Sequence, residues 1–125
     1  MKLISCIREE KDQVKINNYE KLLFDFNGDF KKLSKIIGLI GNEVRLKLMW
    51  LINEDKFCVC DLADILQMSV PAISQHLRKL KDVEIIESYR EKQTIYYFIS
   101  DANKSIVDHI LDLVVKKITI NYEKS

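Results

Sequence analysis

The sequence predicts a mainly α-helical domain with one β-hairpin near its C-terminal end. Apolar residues recur at helical spacing through most of the chain, and two neighbouring runs are rich in β-branched and aromatic residues. The 125-residue chain has only three Gly and one Pro, and its 47% hydrophobic content is enough for one core. The order of the elements, justified below, is that of a winged helix-turn-helix.

Charge and cysteine content restrict the class of protein. The chain has 20 basic and 19 acidic residues, so its formal net charge of +1 gives no global signal for a polyanion partner. DNA binding would therefore need a local basic surface. Three cysteines, an odd number, indicate free thiols in a reducing compartment. The apolar runs are too short for a signal peptide or a membrane span, so we expect a cytoplasmic protein without membrane contact.

The N-terminal part is predicted to be an arm followed by helices. Residues 1–16 are charged and weakly periodic and should form a flexible arm or a short frayed helix, whereas residues 17–125 should form the winged-helix DNA-binding and dimerisation domain. Asn17 or Asn18 is a plausible N-cap for the first helix, which Gly28 should end.

Two further helices precede the cysteines. The second helix should begin near Asp29, and Asn42 should cap the third. Arg45 lies on this third helix, and we expect it to be an exposed charge because arginine is seldom buried.

A helix-turn-helix is predicted next. The short helix over 61–66 should bury Leu62, Ala63, Ile65 and Leu66. Ser69 is a strong N-cap for the second helix, and Pro71 is tolerated in its first turn. That second helix should bury Ile73, Leu77 and Leu80 and leave a polar face opposite.

A hairpin and a terminal helix complete the chain. The runs 84–89 and 94–99 flank Arg90-Glu91-Lys92-Gln93 and predict a β-hairpin, the wing. Ser100-Asp101 should cap a last helix with an apolar stripe formed by Ile106, Ile110, Leu113, Val114 and Ile118. The stripe predicts a dimer interface together with the early helices, although it would equally suit packing within one protomer.

Three segments then resemble the ArsR/SmtB family of metal-responsive winged-helix repressors. They are Asn42-Glu43-Val44-Arg45-Leu46, Cys58-Val59-Cys60-Asp61-Leu62-Ala63 and Ser74-Gln75-His76-Leu77-Arg78-Lys79-Leu80. The resemblance covers the chain from about Asp29 onward. It implies a homodimeric repressor that binds double-stranded operator DNA and is released when a soft ion binds its cysteines.

The cysteine pair is the candidate metal site. On extended backbone, residues i and i+2 point the same way with Cα atoms ~6.6 Å apart, whereas on a helix they diverge by about 200°. Chelation by Cys58 and Cys60 therefore requires Cys58 just outside the helix or in its first turn.

The resemblance also implies a third ligand from the N-terminal arm of the partner protomer, a role carried to Cys6. The resulting trigonal sulfur site would suit As(III), Cd(II) or Pb(II) as the inducer. Some relatives have a second arm cysteine where this chain has Glu10, which makes four-sulfur zinc coordination less suitable.

A second family site pairs carboxylates with histidines on the terminal helices. Asp101, His109 and Asp112 are its candidate remnants, but Asn103 occupies a position where relatives often have His. We expect this site to be absent or non-regulatory.

DNA contacts are predicted on the second helix of the helix-turn-helix and on the wing. Near base edges or phosphates we place Ser69, Ser74, Gln75 and His76. On the DNA backbone we place Arg78, Lys79, Arg90 and Lys92.

Two other function classes stay open. A winged-helix regulator that responds to thiol oxidation would use Cys58 and Cys60 as reactive thiols, and a DNA-binding regulator without metal sensing would leave them as small core residues. An enzyme is disfavoured because the chain has two histidines, no Gly-rich phosphate loop and no clustered triad.

Overall fold

The computed structural model describes the backbone of residues 7–124 and the side chains of residues 7–114, and it has the predicted winged helix-turn-helix fold. Its elements, in order, are α1 (Gln13–Asp25), α2 (Asn27–Ile40), α3 (Glu43–Glu54), α4 (Val59–Leu66), α5 (Val70–Asp82), β1 (Ile86–Glu91), β2 (Thr94–Ile99), a 3₁₀ turn (Asp101–Asn103) and α6 (Lys104–Lys124). The chain divides into two compact units, one ending at Leu33 and the other starting at Ser34.

Helix α1, in the first unit, begins earlier than predicted. Asp12 is its N-cap and accepts the backbone N–H of Lys15 at 3.0 Å. Asn17, the predicted cap, instead lies one turn inside the helix and accepts a hydrogen bond from the Gln13 amide at 2.8 Å. Residues 13–16, predicted as part of a flexible arm or a short frayed helix, belong to α1, and Gly28 lies within α2 rather than ending α1.

The second unit has one hydrophobic core beneath α5. Helix α5 packs against α3, α4 and β1. Its predicted apolar face is confirmed, since Ile73, Leu77 and Leu80 are buried. The other buried apolar residues are Ile36, Ile40, Leu48, Met49, Ile52, Leu62, Ala63, Ile85, Ile86, Ile99, Val107 and Leu111. The prediction was wrong for Ile65, which is exposed.

Both helices of the helix-turn-helix end in the same way. After α4, the N–H of Met68 donates to the Ala63 carbonyl at 3.0 Å, and Gln67 is left-handed with φ of 55°. After α5, the N–H of Ile85 donates to the Leu80 carbonyl at 3.0 Å, and Glu84 has φ of 60°. This is the Schellman ending, which usually places glycine at the left-handed position.

The wing is an antiparallel hairpin in which Ile86 pairs with Ile99 and Glu91 with Thr94. Its first strand starts two residues later than predicted and continues through Arg90 and Glu91. The turn is consequently reduced to two residues. Lys92 takes the left-handed φ of 58° that this turn requires, a conformation for which glycine is usually preferred.

Ser100 ties the wing to the end of α5 instead of capping α6. Its hydroxyl donates to the Glu84 carbonyl, and its backbone N–H donates to the Ile85 carbonyl at 2.9 Å. The Asn103 amide also donates to the Glu84 carbonyl at 2.8 Å. Ser100 is buried, so these bonds satisfy polar groups that water cannot reach.

The inward face of α6 differs from the predicted stripe. Val107 and Leu111 are the buried residues, Ile106 and Ile110 are half-buried, and Leu113 and Val114 are exposed. The Ile118 side chain lies outside the described residues. The residues that α6 buries in the core thus lie one position after Ile106 and Ile110, while the exposed Leu113 and Val114 are compatible with the predicted interface.

We predict that Glu84→Gly stabilises the protein by about 1 kcal/mol, because a left-handed conformation is unfavourable for a residue with a Cβ. The measurement is denaturant unfolding at a fixed protein concentration. The matched control is Glu87→Gly, an exposed site on β1 without a positive φ, which should lower the free energy of unfolding. Equal effects at the two positions would contradict the assigned conformation.

Candidate functional site

The cysteine motif lies at the start of α4. Cys58 is the N-cap, with extended backbone at φ −84° and ψ 169°, and Cys60 lies in the first helical turn. The Asp61 carboxylate accepts the backbone N–H of Cys58 at 3.4 Å, which holds the turn. Cys58 thus stands just outside the helix, as chelation was predicted to require, and both thiols are free.

The described residues contain two soft donors at this site. Cys60 is exposed and Cys58 is half-buried, so an ion can reach both. No group of three or more His, Cys, Asp and Glu side chains suited to a metal lies within the described part of the chain. Cys6, the predicted third ligand, lies outside the described residues. The donor set therefore fits a soft ion that takes its remaining ligand from elsewhere.

The predicted DNA-contacting residues lie on α5, at its start and on the wing. Exposed among them are Ser69, Gln75, Arg78, Lys79, Arg90 and Lys92, whereas Ser74 and His76 are half-buried. Ser69 is the N-cap of α5 as predicted, and its hydroxyl oxygen accepts the backbone N–H of Ala72 at 3.2 Å. Exposed basic residues thus lie both on α5 and on the wing, the distribution that DNA binding would require of a chain with little net charge.

Arg45 is the main residue that sequence reasoning misplaced. It was expected to be exposed, but only 9% of its surface is accessible. Its Nε donates to the Leu39 carbonyl at 2.5 Å, and its Nη1 lies 3.2 Å from Nδ1 of His76. A spacing signal was available, because Arg45 precedes the buried Leu48 and Met49 by three and four residues on the same helix face.

A second unpredicted contact joins the loop before the cysteines to the wing. The Lys56 ammonium pairs with the Glu91 carboxylate and lies 4.4 Å from the ring centroid of Tyr96 and 5.9 Å from that of Tyr89. The hydrogen bond to Glu91 raises the pKa of Lys56, which favours the protonated ammonium. Thirty-five positions separate the two residues, so no local pattern could have predicted this contact.

The candidate remnants of the second family site are on the surface. Asp101, His109 and Asp112 are all exposed. The Nδ1 of His109 lies 2.7 Å from the Ser105 carbonyl one turn earlier and therefore donates to it.

Comparisons with known proteins identify the family to which this chain belongs. A sequence profile of bacterial regulatory proteins of the arsR family matches residues 42–88. The cadmium resistance transcriptional regulatory protein CadC of Listeria innocua is 35% identical over 99 residues, which are 78% of each chain. The chain belongs to the ArsR/SmtB family.

Other relatives of this ArsR/SmtB protein extend the comparison. The arsenical resistance operon repressor of Staphylococcus aureus is 29% identical over 82 residues, covering 66% of this chain and 76% of the repressor. A homodimeric winged helix-turn-helix DNA-binding domain from Mycobacterium bovis shares the fold, with a TM-score of 0.64 at 17% identity over 89% of this chain and 92% of that one. In the described part of the chain, no helix has the length and apolarity needed to cross a membrane.

We predict that Lys56→Met loosens the wing, because it removes both the Glu91 ion pair and the charge over the Tyr96 ring. Hydrogen exchange of wing amides should become about two- to fivefold faster, the size expected for an exposed pair. The matched control is Lys47→Met, which removes an exposed i,i+4 pair with Glu43 at 3.1 Å on α3 and should leave wing exchange unchanged. Unchanged exchange in both variants would contradict a restraint by Lys56.

Proposed function

We propose that this chain is a metal- or metalloid-responsive transcriptional repressor that binds operator DNA as a homodimer. A soft ion binds the thiolates of Cys58 and Cys60, and its binding lowers the affinity for DNA. The observation that carries the proposal is the position of Cys58 as N-cap of α4, with Cys60 in the first turn of the same helix.

Packing supports a connection between the cysteines and the DNA-reading helix. Helix α4 carries both cysteines and packs directly against α5. Leu62 of α4 and Ile73 of α5 are fully buried in one core. A tilt of α4 at its first turn therefore acts on the helix with the proposed base contacts.

The relatives support the class of inducer. Their names associate them with cadmium resistance and with arsenical resistance. Two thiolates suit soft ions, so we propose Cd(II), Pb(II) or As(III), with Cys6 of the partner protomer as the third ligand.

DNA binding is assigned to two surfaces. Gln75 and His76 on α5 contact base edges or phosphates together with Ser69 and Ser74, while Arg78 and Lys79 contact phosphates. Arg90 and Lys92 of the wing contact the flanking DNA backbone. This assignment rests on their common position on the helix-turn-helix and wing, and on their exposure or half-exposure.

Exposed apolar surface supports the homodimer. Helix α1 has no buried residue in a single chain, although Tyr19, Leu22, Leu23 and Phe26 form an apolar stripe along it. On α6, the side chain of Leu113 is 76% exposed. Apolar surface of this kind marks interaction sites, in agreement with the predicted pairing through N- and C-terminal helices.

The central experiment follows fluorescence anisotropy of DNA from the protein's own promoter, bound to reduced protein, during titration with Cd(II), Pb(II), As(III), Zn(II) or peroxide. We predict at least a fivefold loss of DNA affinity with a soft ion, because coupling free energies are typically about 1–3 kcal/mol. Cys58→Ser and Cys60→Ser should abolish this response without changing ion-free binding, and Cys6→Ser should weaken it.

Ultraviolet absorption from sulfur-to-cadmium charge transfer measures ion binding independently of DNA. Tight promoter binding that no ion disturbs, without this absorption, would overturn the sensing proposal and leave a DNA-binding regulator. Release by peroxide alone would identify the protein as a thiol-oxidation sensor.

We predict that Leu23→Asp disrupts the homodimer. Sedimentation velocity should give twice the 14.7 kDa chain mass for the wild type and a single chain mass for the variant, since a buried unpaired charge is costly. The matched control is Lys21→Asp, an exposed position on the opposite side of α1, which should remain dimeric. Dimers of equal strength in both variants would exclude this face of α1 from the interface.

A further inference from the structure

Arg45 links three helices through two hydrogen bonds. Its Nε donates to the carbonyl of Leu39 in the last turn of α2, and its Nη1 lies 3.2 Å from Nδ1 of His76 on α5. Residues 39, 45 and 76 all belong to the second compact unit. The guanidinium is buried, so these contacts replace the water that would otherwise solvate it.

The chemistry of the pair fixes the position of the His76 proton. A guanidinium has only donors, so Nδ1 of His76 must accept the hydrogen bond and cannot carry a proton. The neutral ring then carries its single proton on Nε2. A doubly protonated ring would lose the acceptor and would place a second positive charge beside Arg45.

The other nitrogen of the ring is available to a ligand. Nε2 has no hydrogen-bond partner among residues 7–114, and it is not one of their buried unsatisfied atoms, so it meets solvent. His76 lies beside the exposed Gln75 on α5 and one turn before the exposed Lys79.

We propose that Arg45 is a positioning residue that fixes His76 as the neutral Nε2–H tautomer, so that His76 presents one hydrogen-bond donor to operator DNA. The acceptor is a phosphate oxygen or an acceptor atom on a base edge. This inference rests on the proposed DNA-binding function and gives it a specific proton assignment.

Electrostatics of the site favour the neutral ring. Burial lowers the pKa of His76, and the charges of Arg45 on α3 and Lys79 on α5 lower it further. No carboxylate among the described residues contributes to this shift. A histidine whose pKa is lower in the folded than in the unfolded state stabilises the fold at pH values above its ordinary pKa of about 6.5. That contribution is lost as the pH falls below this value. Operator affinity should therefore not rise on acidification. A rise would be expected only if His76 met a phosphate as a cation.

Two substitutions separate the two ring nitrogens. The amide of His76→Asn reaches the position of Nδ1 and keeps an acceptor for Arg45, but it has no group at the position of Nε2. His76→Gln reaches the position of Nε2 and keeps a donor for DNA. We expect His76→Asn to retain the free energy of unfolding but to lose about tenfold in operator affinity, the value of one hydrogen bond. His76→Gln should bind the operator more tightly than His76→Asn.

If His76 were only structural, operator affinity would follow stability and His76→Asn would bind as the wild type does. That result would overturn the proposal. The same titration on DNA of scrambled sequence distinguishes the acceptors, since loss on the operator alone identifies a base edge and equal loss on both identifies a phosphate.

The tautomer is tested separately by ¹⁵N NMR of the histidine ring in the full-length wild-type protein. We expect an unprotonated Nδ1 and a protonated Nε2, and the opposite pattern would overturn the proposal even if no Arg45 variant folds. In Arg45→Met the pKa of His76 should rise, whereas Arg45→Lys, which keeps the charge, should raise it less. Because this readout needs no DNA, it is independent of failure of the proposed repressor function, which would appear as absent promoter binding by the wild type.

Discussion

The burial of one face of α5 is the constraint on which the rest of the structure depends. Ile73, Leu77 and Leu80 lie within the core shared with α3, α4 and β1. Their burial fixes the rotation of α5 about its own axis and thereby exposes the polar face that carries Gln75 and Lys79. Rotation of α5 by about half a turn around its axis would expose three apolar side chains, each worth about 1.5–3 kcal/mol when buried. In the proposed mechanism, ion binding therefore changes the tilt of this helix rather than its rotation.

The Schellman ending of α4 leaves a short turn before α5, which supports movement of the two helices as a unit. Each helix ends in a Schellman motif whose left-handed residue, Gln67 or Glu84, carries a side chain. Such turns have fixed geometry and leave little slack between consecutive elements. A change at Cys58 is consequently passed on as a displacement of α4. The loop just before Cys58 also contacts the wing, because Lys56 pairs with Glu91.

Much of the fold was predictable because its signals are local. Apolar spacing located α5. The N-cap preference of asparagine and serine located the caps Asn42 and Ser69, whose side chains accept backbone N–H groups as expected. The predictions failed where tertiary contacts outweigh local preference. The burial of Arg45, for example, depends on acceptors that two other helices supply. Ligand geometry set a condition on the position of Cys58 that the N-cap satisfies, whereas the role of Cys6 requires a partner chain.

The site divides its charges by function. In the proposed complex, the exposed arginines and lysines on α5 and the wing provide long-range attraction to phosphates, which depends on salt and is insensitive to base sequence. The buried Arg45 contributes by holding a neutral imidazole instead of by meeting DNA. Because its donor is neutral, the proposed His76 hydrogen bond adds to operator affinity without adding charge to the DNA-binding surface of the protein. In the proposed mechanism, a small coupling free energy from the cysteine site lowers an operator affinity whose electrostatic part is already weakened at physiological salt.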